Sequence, residues 1–312
     1  MRKTAILALV IISVIAVAAE LTLSRSARAM SIKVHKKDLP EHGLVIIAPA
    51  DPSFDALLAA QLKGGTNEVI ETLKPFSFFI ENRSKQTVVA YTLQWCFTKA
   101  DGTNECYVKS LTNPRALVDG DNLSEEMIEQ SGRIKPHSTR FFSLISPDGS
   151  GSISVPASPE DLEQLEQGVS PDRGELLRRY GVELSKYSDI TFTIDGAFFD
   201  DGTFVGPDNT GFFGETKALI SAKYDLLTEI MRGISNPGKT KEDVFRDLEA
   251  TANQPEINLR SKSTFDDQYK YYKRNYAEEI LRSRRFVGDE KALKLALRPM
   301  SKPWRILQKK KS

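Results

Sequence analysis

Four aspartates crowd one short stretch of the chain: Asp195, Asp200, Asp201 and Asp208, with Asn209 beside the last. Hard cations such as calcium take several carboxylate and carbonyl oxygens from a tight loop, so these residues have the chemistry for a calcium site, although their spacing is not that of an EF-hand. Asp195 and Asp200, if brought together in a cleft, could also share acid and base roles in hydrolysis. The bland alternative is structural, because Asp-Asp-Gly at 200–202 is what a tight hairpin turn asks for.

The three histidines, His35, His42 and His137, leave little room for imidazole chemistry. His35 and His42 stand near Asp38 and Glu41, but their spacing fits no helical ligand pair, and a solvated N-terminal segment is the expectation there. The chain has no H-E-x-x-H, no G-x-S-x-G and no P-loop. No catalytic residue is therefore assigned, and no cofactor is expected beyond the conceivable calcium.

Cys96 and Cys106 are the only cysteines. If residues 100–102 form a three-residue loop with Gly102 in the left-handed region, positions 99 and 103 face each other, and so do 96 and 106. The two sulfurs then oppose each other and oxidise in a suitable compartment. A two-residue Asp-Gly turn would instead offset them by one and leave two thiols.

The C-terminal end is strongly basic. Between Arg282 and Ser312 there are eleven basic and two acidic residues, a net +9, which leaves about −8 on the rest of a chain whose total is +1. Lys302, Trp304, Arg305, Lys309, Lys310 and Lys311 combine an interfacial aromatic with cations, a mixture suited to a membrane surface or another anionic partner. The alternative is a solvated end. Nothing in the sequence points to nucleic acid. Tyr269, Tyr272 and Tyr276 could stack on sugars, but with Phe265 and Ile280 they follow helical spacing and read as core.

These residues need elements to hold them. Residues 1–29 have a basic start, an apolar run from Ala5 to Ala19 and an Ala27-Arg28-Ala29 cleavage pattern, the order of a secretory signal. Cut after Ala29, the chain is periplasmic or secreted; uncut, it is tethered to the inner membrane. Residues 30–210 show period-two alternation, clearest over 87–98, where Val89, Tyr91, Leu93, Trp95 and Phe97 share one face. Further strands are expected over 75–81, 105–111, 139–145, 189–199 and 203–205, with helical insertions at 53–63 and 159–180. From residue 211 the period becomes helical, giving helices over 211–233, 241–252, from 264 and over 289–297. The fold class expected is α+β: an antiparallel β-sandwich, then a helical region over 211–300 and a basic tail over 301–312.

The run Glu81-Asn82-Arg83-Ser84 followed by Val88-Val89-Ala90-Tyr91-Thr92-Leu93-Gln94-Trp95 resembles the B and C strands of immunoglobulin-like and fibronectin-like exported modules, with Trp95 at the core position. Lys135-Pro136-His137-Ser138-Thr139-Arg140-Phe141 resembles the proline turn and later strand of such modules. With residues 200–208 ahead of a long helix, the stretch 70–235 is similar to uncharacterised exported bacterial proteins. The resemblance implies an immunoglobulin-like sandwich and no particular activity. The cysteine spacing departs from that of antibody domains. The expectation is an exported, non-catalytic binding or structural protein of the bacterial envelope; the alternative is a carboxylate hydrolase acting on an envelope or extracellular polymer.

Overall fold

The computed structural model describes residues 32–61, 74–112, 132–144, 186–259, 263–298 and 307–310. The signal segment, the helices expected over 159–180, and Lys302, Trp304, Arg305 and Lys311 lie outside the described residues.

In chain order the described elements are β1 (Lys33–Lys37), β2 (Leu44–Ile47), α1 (Phe54–Gln61), β3 (Phe78–Asn82), β4 (Val88–Lys99), β5 (Asn104–Thr112), β6 (Ser138–Phe142), β7 (Tyr187–Phe199) and β8 (Thr203–Val205). Then come α2 (Phe212–Ser235), α3 (Lys241–Ala252), α4 (Phe265–Val287), α5 (Asp289–Leu297) and β9 (Gln308–Lys309). The chain is thus α+β. One sheet runs β5-β4-β7-β8-β9 with β1 also on β7, and a second runs β2-β3-β6.

Both sheets are open, and the first is mixed, which corrects the expectation of purely antiparallel pairing. β1 lies parallel to β7, Lys33 opposite Asp189 and Lys37 opposite Thr193, and β9 lies parallel to β8. The segment around His35 is therefore a strand, and as expected it is largely solvated. Its burial pattern is almost wholly exposed, so it lacks the apolar alternation by which a strand is recognised in sequence.

The described residues form two compact units: one from residues up to Glu81 with Gln94–Lys109 and Thr139–Thr193, the other from Asn82–Leu93, Ser110–Ser138 and Ile194 onward. In the first unit Trp95 is fully buried. Its indole Nε1 donates to the Phe76 carbonyl at 3.2 Å, and its ring lies 5.0 Å from that of Phe78, which also meets Phe192 at 4.8 Å. A large aromatic contributes most here because it removes much area from water while its one polar atom finds an acceptor.

In the second unit the residues of β4 up to Leu93 are buried on both faces. Helix α2 supplies part of the cover, since Phe212 and Ile220 pack with Val89, Ala90, Phe198 and Phe204. Further along, Leu226, Leu227 and Ile230 of α2 meet Val244, Phe245 and Leu248 of α3, Ala277 and Ile280 of α4, and Leu293 of α5. α3 and α4 each begin with a reciprocal capping box, Thr240 with Asp243 and Thr264 with Asp267, which satisfies amides that the first turn leaves without helical partners. Among the described residues no helix is long and apolar enough to cross a membrane.

Candidate functional site

The aspartate-rich stretch joins β7, the β7–β8 hairpin and the start of α2. Asp195 sits on β7 and is fully buried. Its Oδ1 accepts from the Asn209 backbone N–H at 3.0 Å and the Asn209 side-chain amide at 2.8 Å. Its Oδ2 accepts from the Thr210 N–H at 2.8 Å and the Thr210 hydroxyl at 2.7 Å. The Asp195 carbonyl accepts from the Asp208 N–H at 2.9 Å. Gly206, at φ 113°, passes so close that a Cβ there would stand 2.6 Å from that carbonyl oxygen. Four donors on one carboxylate offset the cost of burying its charge.

Asp208 occupies the left-handed region, φ 63°. Its Oδ1 accepts from the Phe213 N–H at 3.0 Å, a cap that Gly211 at the helix boundary has no side chain to provide. Its Oδ2 accepts from Lys309 Nζ at 2.7 Å. Asp201 closes the hairpin turn: Oδ1 accepts from the Thr203 N–H at 2.8 Å and Oδ2 from the Gln86 side-chain amide at 2.6 Å. Partial burial works to raise the Asp201 pKa, but the hydrogen bonds from Thr203 and Gln86 and the charge of Lys310 outweigh it and hold the carboxyl below its ordinary value. The Asp200 N–H donates to the Thr87 carbonyl at 2.9 Å. The structure thus does not gather the four aspartates around one point. Among the described residues no three His, Cys, Asp or Glu side chains are placed to hold a metal ion.

The same corner receives the end of the chain. Gln308 N–H donates to the Gly202 carbonyl at 3.1 Å and Lys310 N–H to the Phe204 carbonyl at 3.0 Å. Leu307 packs against the cluster of Phe198, Phe204 and Phe212. Lys309 Nζ lies 5.6 Å from the Phe204 ring centre and 5.9 Å from that of Phe213, a cation over aromatic faces as well as an ion pair with Asp208. β8 therefore presents a backbone edge, an apolar slot and a carboxylate, the three parts needed to hold an extended segment by strand addition.

The remaining sequence-based candidates are dispersed. His35 Nε2 lies 3.3 Å from Asp189 Oδ1, while the Ser188 hydroxyl donates to Asp189 Oδ2 at 2.7 Å. A nucleophilic serine would have to donate to the histidine instead. His42 stands 3.5 Å from Glu41, and His137 is in a turn at φ 54°. Cys96 and Cys106 are disulfide-bonded with Cα atoms 4.1 Å apart. The three-residue loop is as expected: Gly102 has φ 84°, and the Lys99 N–H donates to the Thr103 carbonyl at 2.9 Å.

Sequence reasoning missed a cluster beside that hairpin. The Glu105 carboxylate accepts from Lys99 Nζ and from the Tyr187 hydroxyl, and these two bonds, Lys99 first, hold its pKa below the usual value. Only the 99:103 and 96:106 pairing hinted at it, since that register sets Lys99 and Glu105 on neighbouring positions of one hairpin. The tyrosines of α4 pack toward α2: Tyr269 donates to Asp225 at 2.8 Å and Tyr272 to Glu215 at 2.6 Å, while Lys223 Nζ lies 5.2 Å from the Tyr276 ring centre.

No family model, no curated protein and no solved structure matches the chain.

Proposed function

We propose that this is an exported, non-catalytic binding protein of the bacterial cell envelope, built on an immunoglobulin-like arrangement of its two sheets around Trp95. The observation that carries the reading is the β8 edge, where Leu307–Lys310 is held by two backbone hydrogen bonds, an apolar contact and Asp208. An edge that takes one extended segment has the chemistry to take another. The Cys96–Cys106 disulfide suits an oxidising compartment, in keeping with a secretory role for residues 1–29. The partner is a protein segment or an anionic envelope component, the latter favoured by the composition of Lys302, Trp304, Arg305, Lys310 and Lys311. The hydrolase alternative is less well supported, because every acceptor position of Asp195 faces a donor of its own fold.

The test is binding in trans. A chain ending at Met300 is titrated with a peptide of residues 301–312 by calorimetry. Saturable binding, weakened at least tenfold by Asp208→Lys in the chain, supports the edge; no binding by a truncated chain that keeps its circular dichroism overturns it. Sedimentation of the mature chain with washed envelopes tests the compartment's partner, and a chain left wholly in the supernatant counts against it.

A further inference from the structure

We infer that the outer face of α4 and α5 is a docking surface for a bilayer carrying anionic phospholipid headgroups. At the end of α4, Arg282, Arg285 and Phe286 are exposed. They are spaced i, i+3, i+4 and so share one side of the helix. α5 repeats the arrangement with Lys291, Lys294 and Leu295, all exposed, and Arg298 follows one turn later. Phe286 is 81% exposed and Leu295 49%. A phenylalanine left that open in water sits beside two arginines, not under a neighbouring element.

The acids nearby do not cancel this charge. Asp289 is taken by Arg284 at 2.9 Å and Glu290 by Lys241 at 3.5 Å. Glu279, one turn earlier on α4 and exposed, offsets one charge. Among the described residues no ion pair engages Arg282, Arg285, Lys291 or Lys294. Cations flanking an exposed aromatic and an exposed leucine match a headgroup layer, where the charges meet phosphate and the apolar side chains enter the acyl boundary. A second copy of the chain fits less well, since a two-fold contact through this face would set like charges against each other. A soluble polyanion would leave Phe286 and Leu295 without a role.

This surface is distinct from the β8 edge and stands if that edge binds nothing. The test is flotation of the full mature chain with vesicles of phosphatidylcholine alone or mixed with phosphatidylglycerol. Binding is expected only to the anionic vesicles. Arg282→Gln with Arg285→Gln, or Lys291→Gln with Lys294→Gln, should each lower the partition coefficient about 30-fold, from a factor of about five per cation. Phe286→Ser should lower it further while Phe286→Leu restores it. All five substituted positions are exposed, so unchanged thermal melts serve as the folding control. Equal flotation with both vesicle types, or the four-cation variant floating like the parent, overturns the proposal. So does tight binding of polyphosphate that Phe286→Ser leaves unchanged, which would assign the face to a soluble polyanion. A variant with Lys302, Arg305, Lys309, Lys310 and Lys311 changed to glutamine should still depend on Phe286; loss of that dependence would place the binding in the tail and also overturn it.

Discussion

Lys309 Nζ lies 2.7 Å from Asp208 Oδ2, although 101 positions separate the two residues in sequence. The other oxygen of Asp208 receives the Phe213 N–H at the start of α2. One carboxylate therefore holds both the beginning of the helix and the end of the described chain.

Substitution can separate these two roles. Asp208→Ala loses the cap, the ion pair and a residue tolerant of positive φ, and should destabilise the protein by about 1–2 kcal/mol in urea unfolding. Asp208→Gly keeps the backbone conformation and should cost less. Lys309→Ala removes a partly exposed ion pair worth about 1 kcal/mol or less. Its signature should be faster hydrogen exchange at the Gln308 and Lys310 amides with little change in global stability. If Lys309→Ala is as damaging as Asp208→Ala, the tail contact and not the cap dominates.

Asp195 presents the opposite case, a carboxylate wholly withdrawn from solvent. Two of its four donors, the backbone N–H groups of Asn209 and Thr210, cannot become acceptors, and they face different oxygens of the carboxylate. Asp195→Asn places an amide N–H against at least one of them, so the nearly isosteric change should cost about 2–3 kcal/mol, comparable with a lost charge-assisted hydrogen bond. Thermal unfolding of the variant reads this directly. A melting temperature equal to the parent's would mean that the carboxylate is not holding the loop.

Which parts of this were legible in the sequence follows from where each signal lies. The alternation over 87–98 and the Cys96–Cys106 register are local, set by the pleat and one turn, and they emerge as β4 and its hairpin. The Thr264 and Asp267 cap is local as well. By contrast β1 pairs with β7 across about 150 positions and buries almost nothing, and β9 is two residues long; neither length nor periodicity marks such strands. Asp195 belongs to the same difficulty. It shares the non-stripe face of β7 with Thr193, and nothing local says that residues 206–210 fold back over it. Only the placement of Asn209 and Thr210, acceptable partners fourteen and fifteen residues on, carries a trace of it.

The disulfide closes a short loop, with Cys96 and Cys106 separated by 10 positions. Removing it with a paired Cys96→Ala, Cys106→Ala change should cost about 2–3 kcal/mol, since loop closure in the unfolded chain depends only weakly on length. Reductant should lower the melting temperature of the parent and leave the double variant unmoved. A parent insensitive to reductant would show that the hairpin is held without the bridge.

The helical unit should weaken at high pH. Burial first, with hydrogen bonds to Asp225 and Glu215 second, raises the hydroxyl pKa values of Tyr269 and Tyr272, and burial does the same for Tyr276. A pKa raised by folding means the native state holds its proton more tightly. The stabilisation is therefore complete below the unfolded value of about 10 and is lost as pH rises through the folded values. Absorbance titration of the nine tyrosines should show a late-ionising group, and Asp225→Asn should lower the Tyr269 value while burial still holds it above that of an exposed tyrosine. Titration of all nine in a single step near 10 would contradict the packing of α4 on α2.

Two glycines of the loop before α2 offer a controlled comparison. Gly211 has φ 75°, and a Cβ there meets nothing within 4 Å, whereas at Gly206, φ 113°, it would stand 2.6 Å from the Asp195 carbonyl oxygen and 2.9 Å from Gly196 Cα. Gly211→Ala should cost only the conformational term, about 1–2 kcal/mol for an L-residue in the left-handed region. Gly206→Ala, farther outside the left-handed region, bears a backbone penalty at least as large and must also push the loop off β7, which lengthens the bonds from Asn209 and Thr210 to the buried carboxylate. Its cost should exceed that of Gly211→Ala by about 2 kcal/mol, one lost charge-assisted hydrogen bond. Because the loop displacement caused by Gly206→Ala loosens the same bonds that Asp195→Asn disrupts, the double variant Gly206→Ala, Asp195→Asn should be less destabilised than the sum of the two single changes. Additive costs in chemical denaturation would show that the loop and the carboxylate are not coupled.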